Sequence, residues 1–267
     1  MSVVSPSEAH TVDAFLGGRV EAVQPSAGHH RSGLEAVLLA ASLPATARGL
    51  VIDLGAGAGV AGLCVAARCP DVSVTLVERD PVAAACARET LRRPANHSFA
   101  ARVGLVETDI ASREGLASAS ADHVIFNPPF RDAAAGTVSP ASARAGAHVL
   151  ADSGLDPWFR AAAALLRSGG TATVIFRADG LELLLAAAKG RFGNLDLLPI
   201  APRDGEPAHR LLMRGIKGSR APMRLLPPLV LHGEGNGFRP EVEAILRDGA
   251  ALGDAVPSWR RNTDAPS

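Results

Sequence analysis

The chain is 267 residues long, 47% apolar and formally neutral, its 27 basic side chains matched by 27 acidic ones. That much apolar material argues against disorder, and the balanced charge gives no overall field to attract a phosphate backbone. Residues 1–10 lack the basic-then-apolar order of a signal peptide, and no apolar run approaches the roughly 20 residues of a membrane span, so a cytoplasmic location without membrane partners is expected. Cys64, Cys69 and Cys86 show no ligand-like pairing and are expected to be small apolar fillers rather than a metal site.

Residues 13–20 read as a short strand or hairpin turning at Gly17-Gly18, and 34–41 as a helix. Residues 49–54, an apolar run with β-branched members, end abruptly in glycines, and 60–68 has helical composition, which makes a strand, turn, helix unit. Strands at 72–77, 101–106 and 122–126 follow, with a helix at 81–92 opened by Pro81. Residues 131–149, rich in Ala, Gly, Ser and Pro, have no clear period and read as a long loop with a helical stretch. A helix at 157–166, a stop at Ser168-Gly169-Gly170, a strand at 171–176, a helix at 181–189 and strands at 195–200 and 209–216 complete the series. Strands alternating with helices predict a parallel sheet covered on both faces, and the close spacing of the last two strands predicts an antiparallel pair at one edge.

Two segments carry candidate chemistry. Asp53-Leu54-Gly55-Ala56-Gly57-Ala58-Gly59 joins the third predicted element to its helix, where glycines let a ligand approach the backbone and the helix N-terminus offers free N–H groups. Glu78, closing the next strand, can accept from ribose hydroxyls, and Asp109, after the strand beyond, from the amino group of a nucleoside base. Gly57, Gly59 and Gly62 also fit G-x-G-x-x-G, so the glycines alone leave a dinucleotide site open.

The second segment is Asn127-Pro128-Pro129-Phe130, at the carboxyl end of a strand, where open α/β sheets bind ligands. Two successive prolines remove two N–H donors and leave carbonyls and the Asn oxygen as acceptors, an arrangement suited to an incoming planar –NH2. The lone pair of such an amine is delocalised into its ring, so hydrogen bonds accepted from it that favour a pyramidal nitrogen make it more nucleophilic. Phe130 can stack on the ring and hold it, which leaves positioning rather than acid–base chemistry as the source of rate.

Through these motifs the sequence resembles the class I, Rossmann-like S-adenosylmethionine-dependent methyltransferases. The resemblance implies an α/β fold with seven mostly parallel strands, the last antiparallel, and a methyltransferase domain at 49–246. Residues 1–48 would form a lead-in hairpin and helix of the same domain, and 247–267 a flexible polar tail. It implies the methionine part of the cofactor over Asp53, Gly55, Gly57 and Gly59, its ribose on Glu78 and its adenine near Asp109, with Arg31 and Asn127 also at the cofactor. S-adenosylhomocysteine would be the product.

More narrowly, the chain is similar to the bacterial family that methylates adenine N6 beside the anticodon of a valine tRNA. The similarity runs through Leu16-Gly17-Gly18-Arg19-Val20, Gln24-Pro25, the segment 31–40, Gly215-Ile216-Lys217-Gly218 and the segment 226–232. His29 and His30 replace an aromatic expected before Arg31, and Glu35 replaces Asp. A tRNA or other structured RNA is the implied partner, and a local basic excess over 191–224, with Arg214 and Lys217 as candidate substrate contacts, could track its phosphates.

Three alternatives stand beside this reading. One is a protein glutamine amide as methyl acceptor, which the same tetrapeptide suits. Another is an oxidoreductase on Gly57, Gly59 and Gly62, which leaves the tetrapeptide unexplained. The third is a fold retained for binding alone.

Overall fold

The structure, a computed structural model, describes residues 10–25, 31–129 and 154–260. Eleven strands are present among them: β1 (His10–Phe15), β2 (Val20–Pro25), β3 (Gly49–Leu54), β4 (Val72–Glu78), β5 (Val103–Glu107), β6 (Ala121–Phe126), β7 (Leu166–Arg177), β8 (Phe192–Ala201), β9 (Arg210–Lys217), β10 (Arg224–Leu225) and β11 (Leu229–Val230). The last nine form one sheet in the order β10-β8-β9-β7-β6-β3-β4-β5, with β11 also paired to β8. β3 to β7 pair in parallel, β9 is antiparallel to both β7 and β8, and the short β10 and β11 run parallel to β8. The antiparallel pair expected at one edge is therefore β8 with β9, extended beyond β8 only by the two-residue β10 and β11, with β9 between β7 and β8. A short connection allows this, because β9 only has to turn back beside β8.

The strands alternate their side chains between two cores, as their period dictates. Val51, Leu76, Ile125 and Ile175 belong to one buried cluster, and Ile52, Val77, Val124, Phe126, Val174 and Phe176 to the other. Both faces are thus covered, as parallel sheets require. The hairpin β1–β2 packs beside helix α3 (Pro81–Leu91), where the Val23 N–H donates to Thr90 Oγ1 at 2.8 Å and the Glu21 N–H to Asn96 Oδ1 at 3.1 Å. Helix α1 (Leu34–Ala41) buries Ala36 to Ala41 against helix α2 (Val60–Arg68). Among the described residues no helix is long and apolar enough to cross a membrane.

The end of the chain differs from expectation. Residues 247–260 do not form a loose tail. Trp259 is 2% exposed, its indole N–H donates to the Ser42 carbonyl at 2.9 Å, and its ring lies 4.4 Å from the Arg214 guanidinium carbon. Leu252 and Val256 are buried with it in the same core cluster, so three apolar side chains dock the segment. The expected loop at 131–149 lies outside the described residues.

Candidate functional site

The carboxyl ends of β3, β4, β5 and β6 border a cavity of about 760 Å³, lined among others by Asp53, Gly55, Gly57, Glu78, Asp109, Asn127, Pro128 and Pro129. Asp53 and Asn127, 74 positions apart in sequence, meet here because β3 lies between β4 and β6. This is the point where the strand order reverses, and parallel sheets open a crevice there.

At the turn after β3, Gly57 has φ +57°, and a Cβ placed on it would meet nothing within 4 Å, so its backbone faces open space from which a ligand can reach it. Gly55, at φ +64°, answers a different demand: a Cβ there would lie 2.3 Å from the Trp158 ring. Gly59, before α2, packs on Leu76 and is absent from the lining.

Glu78 ties the turn to the next loop. Its Oε2 accepts from the Gly57 N–H at 2.8 Å, and its Oε1 from the Arg79 and Asp80 N–H groups at 2.9 and 2.8 Å. A carboxylate has about four acceptor positions, so roughly one remains for a hydroxyl donor. The Asp80 carboxylate in turn caps α3, accepting from the N–H groups of Val82 and Ala83 at 2.8 and 3.0 Å ahead of Pro81.

Asp53 lies beneath the turn and accepts from the Gly62 N–H at 2.8 Å. Burial pushes its carboxyl up to about 7, the Gly62 N–H opposes this, and the charge of Glu78 adds to it.

Asn127 stands at the opposite wall. Its Oδ1 is buried and has no hydrogen-bond partner among the described residues, a state that costs about 1–3 kcal/mol until a donor arrives. Pro128 is buried and Pro129 exposed. Phe130 lies outside the described residues.

Arg31, expected at the cofactor, places its guanidinium on Asp13 at 2.7 Å, while its neighbour Ser32 lines the cavity. Arg214 requires a correction. It is 5% exposed, pairs with Asp196 at 3.0 Å and donates to the Trp259 carbonyl, so it cannot meet an RNA phosphate. Lys217 donates to the Leu166 carbonyl at 2.6 Å at the amino edge of the sheet, about 17 Å along β9 from the level of Asn127. Within the basic segment, Arg191, Arg210 and Arg224 are also in ion pairs, with Asp156, Glu35 and Asp196. Its positive charge is largely spent inside the molecule.

Several lining residues were not singled out from the sequence: Ser32, Arg79, Ile110, Leu155 and Trp158. Arg79 and Ile110 each follow an acid at a strand end, a signal that was there to read. Trp158, in the helix Asp156–Leu165, stacks on Phe126 with centroids 6.1 Å apart, and nothing local in sequence marks it.

The residues fit a nucleoside cofactor bearing a positive charge. An open backbone cradle at Gly57 adjoins the acidic side chains of Glu78 and Asp109, and an acceptor at Asn127 without a partner among the described residues lies beyond. The architecture argues against the oxidoreductase alternative, because an antiparallel strand between β7 and β8 breaks the all-parallel dinucleotide order.

Comparison with known proteins agrees. The model of the family "Methyltransferase small domain" matches residues 29–186, more than half of the chain. A tRNA1(Val) (adenine(37)-N6)-methyltransferase from Aeromonas hydrophila is 31% identical over 186 residues, 68% of this chain and 75% of that protein. The protein of the same name from Shewanella amazonensis is 34% identical, but the match spans 42% of this chain and less than half, 46%, of that protein. A crystal structure of a predicted O-methyltransferase from Agrobacterium tumefaciens superposes with a TM-score of 0.69 at 36% identity, covering 81% of this chain and 97% of the other.

Proposed function

The chain belongs to the Methyltransferase small domain family, and from that premise we propose that it transfers the methyl group of S-adenosylmethionine to the exocyclic N6 of an adenine in tRNA. When bound, S-adenosylmethionine supplies a methyl group on a positively charged sulfur, open to in-line attack by a nitrogen lone pair.

The observation that carries the reading is the buried Oδ1 of Asn127, without a partner among the described residues, between the cavity and two prolines. An amine that donates to it gains more as the nitrogen becomes pyramidal, so the interaction favours the transition state over the ground state. Asn127 and the Pro128 carbonyl are acceptors rather than bases. The –NH2 lone pair can attack before any proton leaves, and the cationic methylated nitrogen then loses its proton readily to water, whereas a neutral hydroxyl needs a base to take its proton first, so an –NH2 is favoured over oxygen. The acidic side chains of Glu78 and Asp109 in the lining favour a cation there, and the glycine turn lets it approach the backbone. The choice of adenine in tRNA is supported by the relatives from Aeromonas hydrophila and Shewanella amazonensis, whose names state that acceptor. An adenine in a structured loop must leave its stack to enter, so unpaired adenines are the better substrates.

Asn127→Ala tests the role. Turnover should fall about 100-fold or more while S-adenosylhomocysteine affinity changes little. Wild-type turnover in a variant that binds cofactor normally would refute it.

A further inference from the structure

We propose that Arg79 is a positioning residue that makes the nucleoside end of the cavity selective for a base with an exocyclic amine, by fixing the Asp109 carboxylate that receives it. The inference rests on the reading of S-adenosylmethionine as cofactor. Arg79 and Asp109 both line the cavity, on two different strand-end loops, together with Thr108, Ile110 and Ala111. The loops are joined by the Thr108 N–H, which donates to the Glu78 carbonyl at 3.1 Å. Arg79 Nη1 donates to Asp109 Oδ2 at 2.7 Å, and the Ala111 N–H donates to Oδ1 at 2.8 Å.

Each carboxylate oxygen is therefore held by one donor and keeps about one acceptor position. With its side chain 40% exposed, Asp109 would otherwise sample several rotamers. Once locked, it loses little entropy when a ligand amine docks. The Ala111 N–H and then Arg79 hold its carboxyl below the usual range, so it remains an ionised acceptor. Such a group takes the six-amino group of adenine but meets a repulsive carbonyl in hypoxanthine. An ion pair this exposed, with Arg79 at 68%, contributes little to stability by itself. Its effect falls on the ligand.

The test is calorimetric binding of S-adenosylhomocysteine and its deaminated analogue S-inosylhomocysteine to wild type, Arg79→Ala, Arg79→Lys and Asp109→Asn. Wild type should prefer the amine-bearing ligand by about tenfold or more. Arg79→Ala should cut that preference about fivefold through weaker S-adenosylhomocysteine binding, Arg79→Lys should restore part of it, and adding Arg79→Ala to Asp109→Asn should have no further effect. The thermal midpoint of Arg79→Ala should match wild type. An unchanged preference in Arg79→Ala, or equal weakening of both ligands, would overturn the proposal. Failure of wild type to bind S-adenosylhomocysteine at all would instead overturn the cofactor reading, and this proposal with it.

Discussion

Replacing Arg214 with methionine separates a structural role from an RNA-binding one. The guanidinium partners Asp196, which is 0% exposed, and it also donates to the Trp259 carbonyl and lies under the Trp259 ring. Breaking a buried ion pair costs about 3–5 kcal/mol when it strands the other charge. Arg224, 2.7 Å from Asp196, retains part of the compensation, which leaves about 2–3 kcal/mol. Loss of the hydrogen bond to Trp259 adds about 1 kcal/mol, so urea unfolding should report about 3–4 kcal/mol of destabilisation at unchanged m-value. Cofactor affinity should survive at low temperature, and the salt dependence of RNA binding should not change. A variant as stable as wild type to within about 0.5 kcal/mol, with a salt slope reduced by about one, would show that Arg214 contacts phosphate and that this reasoning is wrong.

Two further outcomes follow from the cofactor turn. The Asp53 carboxyl, raised to about 7 by burial, binds a proton in the folded chain between about pH 4 and 7 that the unfolded chain has released. Its contribution to stability therefore falls as pH rises through that window, by up to about 4 kcal/mol. Asp53→Asn, which keeps an acceptor for Gly62, should become progressively more stable relative to wild type from pH 4 to 8, and a pH-independent difference would show that the carboxyl titrates normally. Gly57→Val places a side chain in open space at positive φ, at a strain of about 1–2 kcal/mol. It should remain folded by circular dichroism yet lose S-adenosylhomocysteine binding, and retained binding would move the cofactor away from this turn.

Much of this fold was legible because its signals are local. β3 and α2 begin and end where the apolar run stops and the glycines start, and Pro81 and Asp80 mark the start of α3. Asp53, Gly57, Glu78, Asp109 and Asn127 reach one cavity because each closes or follows a strand that ends at the same edge of the sheet.

What escaped depends on register and docking. A count of charges over 191–224 cannot show that Asp196 lies directly opposite Arg214 across the β8–β9 pair, although Arg214 within the apolar run of β9 hinted at burial. Trp259, with Leu252 and Val256, lies in a short segment without clear periodicity, and its partner Ser42 is 217 positions away. Trp158 is placed by the contact between its helix and Phe126, which no local pattern encodes.

The central claim, methyl transfer to adenine N6 in tRNA, is tested most directly by product analysis. Purified chain, labelled S-adenosylmethionine, and separate pools of tRNA and protein from cells lacking this chain are incubated, and the modified pools are digested and resolved by mass spectrometry. The account predicts label in N6-methyladenosine from tRNA with wild type and its near loss with Asn127→Ala. Label in methylglutamine from the protein pool, with none in RNA, would contradict it.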